Sequence, residues 1–349
     1  MKTTHYLLLL LSLSVIHLSS CSQDENNEVW LIPENDVFDG GPGKDGIPSI
    51  DNPQFSLVSE VDFLENRDLV IAVKVDDDIK IYPHPILDWH EIVNDEVGGK
   101  PLAITYCPLT GTGIAWERDL GNGEVTTFGV SGLLYNTNLI PYDRTSDSNW
   151  SQMQLQAVNG QRAGQRIQTY PVVETSWQTA KGLYPEAMVL NTNTSFSRDY
   201  DRYPYGDYRT NDDLLLFPID NVDERLPAKD RGLGILINGE TKFYPLTLFN
   251  TNSVILDQFA GKDLLLLGNQ NDNYVVAFEQ QLPDGTIITP IATPITSDGM
   301  MIDTEGNVWN LFGEAVSGPR TGRQLHQVES YIGFWFAWAT FYPSTEIAN

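Results

Sequence analysis

The chain has 349 residues, of which 47 are acidic and 21 basic, giving a formal net charge of −26 at pH 7. Such a charge repels phosphate backbones, which argues against nucleic acid as a partner, and it disfavours anionic membrane surfaces for the same reason. With two cysteines and 41% hydrophobic residues, the fold must rest on a conventional core without a disulfide framework, and the length favours two folded units.

The N-terminus has the pattern of a secretory signal. Lys2 precedes the apolar run YLLLLLSLSVIHL, and LSSC follows, ending at Cys21. The run is shorter than the roughly 20 apolar residues that a membrane-spanning helix needs. The cysteine after LSS resembles a bacterial lipobox, which implies cleavage before Cys21, its lipidation, and anchoring without a membrane span. The alternative is an ordinary signal peptide with an incidental cysteine.

We therefore expect a lipoprotein signal peptide over residues 1–20 and a polar, lipidated tether over residues 21–45. The expected location is the cell envelope of a Gram-negative bacterium, at the outer membrane, facing the periplasm or the cell surface. Loss of Lys2 leaves 20 basic residues against 47 acidic ones, a net charge of −27. The mature chain keeps three histidines, His84, His90 and His326, and Cys107 has no intramolecular disulfide partner once Cys21 is lipidated.

The predicted elements after the tether are mostly strands. DLVIAVKV and IKIYP flank the turn DDD and form a predicted hairpin, and NGE, which begins at Asn238, is a second hairpin signal. PILDWHEIVND has helical spacing, with Pro85 suited to a first helical position. PLAITY, GIAWE and VTTFGV are predicted strands, and VETSWQTAKGLYP is a predicted helix with a Thr or Ser cap. The segment after residue 190, rich in Tyr, Asp and Pro, is predicted to be an ordered connecting loop.

Two stretches of the chain repeat one unit. The 44 residues that begin KVDDDIKIYPHPILDWHEIVND at Lys74 align without a gap to those that begin LINGETKFYPLTLFNTNSVILD at Leu236, at an offset of 162. Beyond this stretch, tryptophans, glycines and Tyr-Pro pairs stay in step at a slightly smaller offset. We predict a first repeat unit over residues 46–190, a connecting segment over 191–230, and a second, degenerate unit over 231–349. The predicted fold is α+β and strand-dominated, with two pseudo-equivalent units packed together.

The repeat separates residues that the fold needs from residues that one copy uses. Four polar or nucleophilic residues of the first unit are replaced in the second: His84, His90, Glu91 and Cys107 align with Leu246, Asn252, Ser253 and Asn269. On a helical projection, His90 falls on the apolar face and Asn94 near its edge. Asp88, Glu91 and Asp95 project outward, so we expect Glu91 to be solvated and not a general base.

Cys107 and His90 are the catalytic candidates. Cys107 ends a predicted strand before the glycine-bearing loop LTGTG, and a nearby imidazole would lower the pKa of its thiol. The aligned Asn269 argues against a dry apolar slot at this position. The alternatives are a buried cysteine acting as a small hydrophobe and a buried His90 bonded to a backbone carbonyl.

A second group of residues predicts ligand binding. Arg144, beside aromatic residues, is suited to seat a carboxylate, although a surface ion pair between Asp143 and Arg144 is the alternative. The other predicted ligand-binding residues are Asn94, Tyr135, Asn136 and Trp150.

No metal site is predicted on a motif. WHEIVND is not the HExxH motif of zinc proteases, because Asn94 stands at the position of the second histidine of that motif. His84, His90 and Cys107 remain weak metal candidates. No cofactor is assigned.

Six stretches of the chain together resemble domain-of-unknown-function family 3179. They are GGPGKDGIPSIDNPQF, YPHPILDWHEIVND, GGKPLAITYCPL, TFGVSGLLYN, YDRTSDSNWSQ and RDYDRYPYGDY. The resemblance implies an extracytoplasmic setting and supplies no activity. Similar members read CPLC where this chain has CPLT, so Thr110 removes the second sulfur of any dithiol.

Three functions follow as alternatives. The first is a lipid-anchored protein that binds a small ligand, an anion among the candidates, in a first-unit pocket near Cys107, His90 and Arg144. The second is a thiol-dependent enzyme with Cys107 as nucleophile and His90 as base. The third is a structural or assembly lipoprotein. The sequence leaves open whether the protein is an enzyme and which protein partners it has.

Overall fold

The computed structural model describes residues 29–121, 123–250, 253–291 and 301–349. The predicted signal peptide, Cys21 and the tether up to residue 28 lie outside these residues, as does Asn252. Within the described residues no helix is long and apolar enough to cross a membrane. We call the described residues up to 190 the first half, residues 191–230 the connecting segment, and the described residues from 231 the second half.

The first half is built mainly of short strands. Its elements in chain order are β1 (Val37–Asp39), β2 (Phe55–Leu57), β3 (Leu69–Val75), β4 (Asp78–Pro83), α1 (His84–His90), β5 (Ile92–Val97), β6 (Lys100–Cys107), β7 (Thr112–Glu117), β8 (Phe128–Tyr135), β9 (Asn138–Asp143), β10 (Asn149–Ser151), β11 (Gln156–Asn159), β12 (Thr169–Tyr170), β13 (Val173–Ser176), α2 (Trp177–Leu183) and β14 (Met188–Leu190).

The second half has a similar composition. Its elements are β15 (Arg231–Ile237), β16 (Glu240–Pro245), β17 (Ser253–Phe259), β18 (Lys262–Asn269), β19 (Tyr274–Glu279), β20 (Pro290–Ile291), β21 (Met301–Asp303), β22 (Val308–Trp309), β23 (Ala315–Ser317), β24 (Ser330–Phe334), α3 (Trp335–Phe341) and β25 (Glu346–Ile347). Short 3-10 helices cover Glu34–Asp36, Val58–Glu60, Tyr208–Thr210 and Leu246–Leu248. The predicted α+β, strand-dominated fold is confirmed.

Each half contains three sheets with corresponding strand orders. The order β13-β3-β4-β14-β2 corresponds to β24-β15-β16-β25, and in both sheets a last short strand pairs in parallel with the hairpin. The sheet β12-β7-β6-β5 corresponds to β19-β18-β17, and β1-β8-β9-β10-β11 corresponds to β20-β21-β22-β23. The duplication itself stays a prediction of the sequence, and this agreement in strand order is consistent with it.

The two halves also share polar networks at aligned positions. In each half an aspartate, on β5 or on β17, accepts hydrogen bonds from a lysine and a tyrosine. A second aspartate in each half accepts a hydrogen bond from a buried tryptophan. The first network consists of Lys80, Tyr82 and Asp95 in one half and Lys242, Tyr244 and Asp257 in the other. The second pairs Asp143 with Trp150 and Asp303 with Trp309.

Several local predictions are confirmed. The turn between β15 and β16 consists of Asn238 and Gly239, whose φ angles of 53° and 83° suit the tight turn of a β-hairpin. The helix α2 begins after Ser176, whose side chain accepts a hydrogen bond from the backbone N–H of Thr179 at 3.2 Å.

The helix predicted over PILDWHEIVND is wrong in its C-terminal part. α1 ends at His90, and Glu91 has a φ of 57°, which reverses the chain. The next residues form β5, which pairs antiparallel with β6. Asp95 therefore lies on a strand and is buried, not exposed on a helix. The helical spacing misled because hairpin pairing with β6 overrides helical propensity in a stretch of this length.

The largest core cluster contains residues of both halves. Trp116 and Trp150 of the first half lie in the same buried cluster as Trp335 and Trp338 of the second half. An ion pair between Glu174 on β13 and Arg231 on β15 also joins the halves. The two halves therefore pack against each other through both apolar and charged contacts.

Candidate functional site

Cys107 lies at the end of β6 and is sealed in the core. It is 1% exposed, and its Sγ lies 3.8 Å from the carbonyl oxygen of Thr137. Burial, with a smaller contribution from the carboxyl of Glu91, raises the pKa of the Cys107 thiol to about 11. A thiol in such surroundings stays protonated and is a poor nucleophile.

His90 is also buried, and both of its ring nitrogens have partners other than Cys107. Nδ1 lies 2.7 Å from the carbonyl oxygen of Pro48, and Nε2 lies 2.7 Å from the hydroxyl of Tyr200. Because a carbonyl only accepts, Nδ1 donates and Nε2 accepts from Tyr200. Burial lowers the pKa of His90 to about 4. This geometry matches the alternative of an imidazole bonded to a backbone carbonyl and does not form a Cys–His pair.

Arg144 binds two carboxylates of the chain itself. Its guanidinium lies 3.1 Å from Asp45 and 3.2 Å from Asp51. The suggested pair with Asp143 is not formed, because Asp143 is fully buried and accepts a hydrogen bond from Trp150 Nε1 at 3.0 Å. Arg144 therefore ties the segment between β1 and β2 to the end of β9, and its charge is balanced by these two carboxylates.

Asn94 belongs to the same attachment. Its Nδ2 donates to Asp51 at 2.7 Å and to the carbonyl oxygen of Phe128 at 2.8 Å. Its Oδ1 accepts from the backbone N–H of Phe128 at 2.9 Å. Both polar atoms of the Asn94 side chain therefore bond to the backbone of Phe128 and so join β5 to β8, and the amide nitrogen also bonds to Asp51.

Tyr135 and Asn136 hold the connecting segment. Their side chains donate to the carboxylate of Asp220, at 2.7 Å and 2.9 Å respectively. Burial and the hydrogen bond to Asp220 raise the pKa of Tyr135 well above its usual value. The residues predicted from sequence as one pocket, including the fully buried Trp150, therefore contact different parts of the chain.

Four consecutive residues at the end of α1 dock the connecting segment. Asp88 and Glu91 are only 4% and 6% exposed, so the prediction that Glu91 is solvated is wrong, and Asp88, predicted to project outward, is also buried. Asp88 is buried because the connecting segment covers the outer side of α1. Glu91 has a positive φ, so its side chain does not point in the direction that a helical projection gives. The four contacts are Asp88 with Arg209, Trp89 with the carbonyl of Arg202, His90 with Tyr200, and Glu91 with Tyr205.

Next to this docking site lies a group of four buried polar side chains and two partly exposed arginines, which we call the buried polar cluster. His84 Nε2 lies 3.5 Å from Glu174 Oε1, and the imidazole lies 4.2 Å from the ring of Tyr106. Arg209 donates to Asp88 Oδ2 at 2.8 Å, and Arg231 donates to Glu174. The cluster consists of His84, Asp88, Tyr106, Glu174, Arg209 and Arg231.

Burial perturbs the ionisation of these groups. It lowers the pKa of His84 well below its usual value, and the charges of Arg231 and Arg209 lower it further, so the imidazole is neutral. Burial raises the pKa of Asp88 to about 7 despite the ion pair with Arg209. It also raises the pKa of Glu174, against the opposing effect of Arg231. Perturbed pKa values of this kind are common at functional sites.

The second half shows that the fold does not need charge at these positions. Leu246 replaces His84, and Ile332 replaces Glu174 at the strand position that pairs with β15. Both replacements are buried and apolar. The sequence carries a signal for Glu174, because this acidic residue aligns with the apolar Ile332 of the second half.

The weak metal candidates His84, His90 and Cys107 have separate sets of partners. Among the described residues, no group of three or more His, Cys, Asp or Glu side chains is arranged to hold a metal ion.

A cleft of about 770 Å³ lies between the halves. Its lining includes one lysine, four carboxylates and His326, whose side chain is 71% exposed. Lys74 pairs with Glu314 at 2.9 Å, and Glu329 pairs with Arg166 at 2.8 Å. Gly113 lines the cleft and is the cross-strand partner of Tyr106 in the buried polar cluster. The charged lining residues are Lys74, Asp76, Asp77, Glu314 and Glu329.

Residues 44–345 match the family model described as "Protein of unknown function (DUF3179)". The chain belongs to this family. No curated protein and no solved structure matches it significantly. In this family member, Thr110 stands three residues after Cys107, where its hydroxyl lies 2.8 Å from Thr112 Oγ1 and accepts from Asn138 Nδ2 at 2.9 Å. A hydrogen-bonded threonine therefore takes the place at which a dithiol partner would stand.

Replacing His84 by leucine is expected to stabilise the ligand-free protein. Neither ring nitrogen has a hydrogen-bond partner among the described residues, and Leu246 fills the aligned position of the second half. His84→Leu should raise the free energy of unfolding by about 1–3 kcal/mol, measured by urea denaturation. The control His326→Leu, at an exposed position, should change it by less than about 0.5 kcal/mol. A clear loss of stability in His84→Leu would contradict this account.

The buried carboxyl of Glu91 is expected to make the folded protein less stable as the pH rises. Burial raises the pKa of its carboxyl to about 8 from the usual 4.5, so the folded state keeps a proton that the unfolded state releases between these values. The wild type should therefore lose stability relative to Glu91→Gln as the pH rises from 5 to 8, by roughly 2–4 kcal/mol. Urea denaturation across this range measures the difference. The exposed control Glu186→Gln should run parallel to the wild type, and the same result for Glu91→Gln would refute the prediction.

Proposed function

We propose that this protein is a lipid-anchored binding protein of the cell envelope that holds a small organic cation in the cleft between its two halves. The observation that carries the proposal is the volume of the cleft, about 770 Å³, which falls in the range of small-molecule sites. Both halves contribute to its lining, so the packing of one half on the other forms the site.

The charge of the cleft favours a cation. Four carboxylates and one lysine line it, and two of the carboxylates, Glu314 and Glu329, are balanced by Lys74 and Arg166. Asp76 and Asp77, in the turn between β3 and β4, supply negative charge beyond these ion pairs. The net charge of −26 strengthens attraction of cations over the whole molecule. Tyr170 and Phe312 add aromatic surface for an organic group.

This proposal places the ligand elsewhere than the pocket predicted from Cys107, His90 and Arg144. Arg144 is neutralised by two aspartates, which removes the reason for expecting an anion there. The thiol-dependent enzyme is disfavoured by the burial of Cys107 and by the partners of His90.

Spermidine is a suitable probe for the cleft. Isothermal titration calorimetry should detect saturable binding to the wild type that weakens with added salt, whereas citrate should not bind. Asp76→Asn/Asp77→Asn should weaken binding about tenfold, which corresponds to about 1.4 kcal/mol. Asparagine suits the left-handed backbone of Asp76, whose φ is 52°, so the turn should be preserved.

The matched control is Asp62→Asn/Asp284→Asn, which removes the same charge at exposed positions outside the cleft. Equal weakening by both double variants would show general electrostatic attraction and overturn the cleft as the site. Tighter binding of citrate than of spermidine would overturn the ligand class.

The membrane anchor rests on the lipobox-like sequence that ends at Cys21. When the full chain is expressed in a Gram-negative host with radioactive palmitate, the wild-type protein should carry the label and sediment with membranes. Cys21→Ser should lose both properties, because it removes the acylated thiol. The variant Cys107→Ser should keep the label. Label retained in Cys21→Ser would refute the anchor.

A further inference from the structure

We propose that the buried polar cluster is a second binding site, closed by the connecting segment, for a small uncharged molecule rich in hydrogen-bond donors, such as a short polyol. This site is separate from the cleft and does not depend on the function proposed for it.

The first observation is that the cluster holds polar atoms without partners. His84 Nδ1 and Nε2, Asp88 Oδ1 and Glu174 Oε2 are buried and lack a hydrogen-bond partner among the described residues. A buried polar group left without a partner costs about 1–3 kcal/mol, so native proteins rarely leave several together. A bound molecule that bonds to these atoms removes that cost.

The second observation comes from the other half of the chain. The aligned positions hold Leu246 for His84, Asn250 for Asp88, Gly268 for Tyr106 and Ile332 for Glu174. There, Phe249 fills the space above Gly268, and a Cβ on that glycine would lie 2.4 Å from the phenylalanine ring. The same scaffold is thus closed by apolar packing in one half and by charged groups in the other. Stability alone does not explain the charged version.

The atoms without partners define the chemistry of the ligand. Asp88 Oδ1 and Glu174 Oε2 accept hydrogen bonds when ionised, and a neutral imidazole offers one acceptor and one donor. The atoms without partners therefore offer three acceptors and one donor, a set that a molecule rich in donors would satisfy. Asp88 is balanced by Arg209 and Glu174 by Arg231, so the site favours an uncharged molecule. Hydroxyl groups meet both requirements.

The connecting segment provides the lid. Residues 200–209 contact α1 at two points: Tyr200 bonds to His90 at 2.7 Å, and the carbonyl of Arg202 accepts from Trp89 at 3.1 Å. Just after β6, the hydroxyl of Tyr203 donates to the carbonyl of Pro108 at 3.3 Å. Arg209 belongs to both lid and site, because it donates to Asp88. Apart from the 3-10 turn Tyr208–Thr210, the segment 191–230 has no regular secondary structure. Such a segment opens at lower cost than a strand or helix of the core.

The test uses ethylene glycol as probe and acetone as an acceptor-only control with the same number of heavy atoms. NMR signals of ¹³C-labelled histidine in the full mature chain separate the two sites, since His84 belongs to the cluster and His326 to the cleft. Ethylene glycol should shift the His84 signal saturably and leave the His326 signal in place. Acetone should not produce a saturable shift of His84.

Two variants sharpen the result. Glu174→Gln replaces an acceptor with a donor group and should weaken the binding of ethylene glycol about tenfold, while Asp76→Asn/Asp77→Asn in the cleft should leave it unchanged. Arg209→Ala loosens the lid and should speed exchange between free and bound His84 signals. If Glu174→Gln does not fold, the wild-type titrations decide alone. A His84 shift that is absent, or linear with probe concentration, means that only water occupies the cluster and overturns the proposal.

Discussion

The reversal of the chain at Glu91 is the constraint on which the arrangement of the first half depends. A left-handed backbone at a residue other than glycine costs about 1–2 kcal/mol, and two hydrogen bonds offset it here. The N–H of Glu91 donates to the carbonyl of Leu87 at 2.8 Å, and its carbonyl accepts from Tyr106 at 2.7 Å. Because the helix stops there, β5 can pair with β6, and that pairing places Tyr106 beside His84. The same stop leaves the last turn of α1 as the surface on which the connecting segment lies.

The second half is an internal comparison for this arrangement. The networks around Asp95 and Asp257, and the bonds between an aspartate and a buried tryptophan, occur in both halves. These contacts hold the scaffold together. In the buried polar cluster, His84, Asp88, Tyr106 and Glu174 come from the first half, and burial of His84 and Glu174 there opposes stability. Contacts common to both halves are therefore architectural, and the polar contacts limited to one half mark the region in which function is to be sought.

The strands and the hairpins were predictable because their signals are local. Alternating and β-branched residues define β3, β4, β6 and β7, and Asn238-Gly239 defines a turn by its own backbone preferences. The end of α1 was not predictable from the apolar spacing, because helix and strand patterns overlap in a stretch of eleven residues. The burial of Asp88 also escaped the sequence, since Arg209 lies 121 positions away along the chain.

By itself, the sequence determined the strand-rich composition and the family to which the chain belongs, and it predicted two similar halves. These properties follow from local residue patterns, which do not depend on contacts between distant segments of the chain. The tertiary structure alone decided that Cys107 is sealed, that Arg144 is neutralised by Asp45 and Asp51, and that a cleft forms between the halves. Each of these depends on which distant segments meet in space, and on the desolvation and pairing of charge that follow from their meeting.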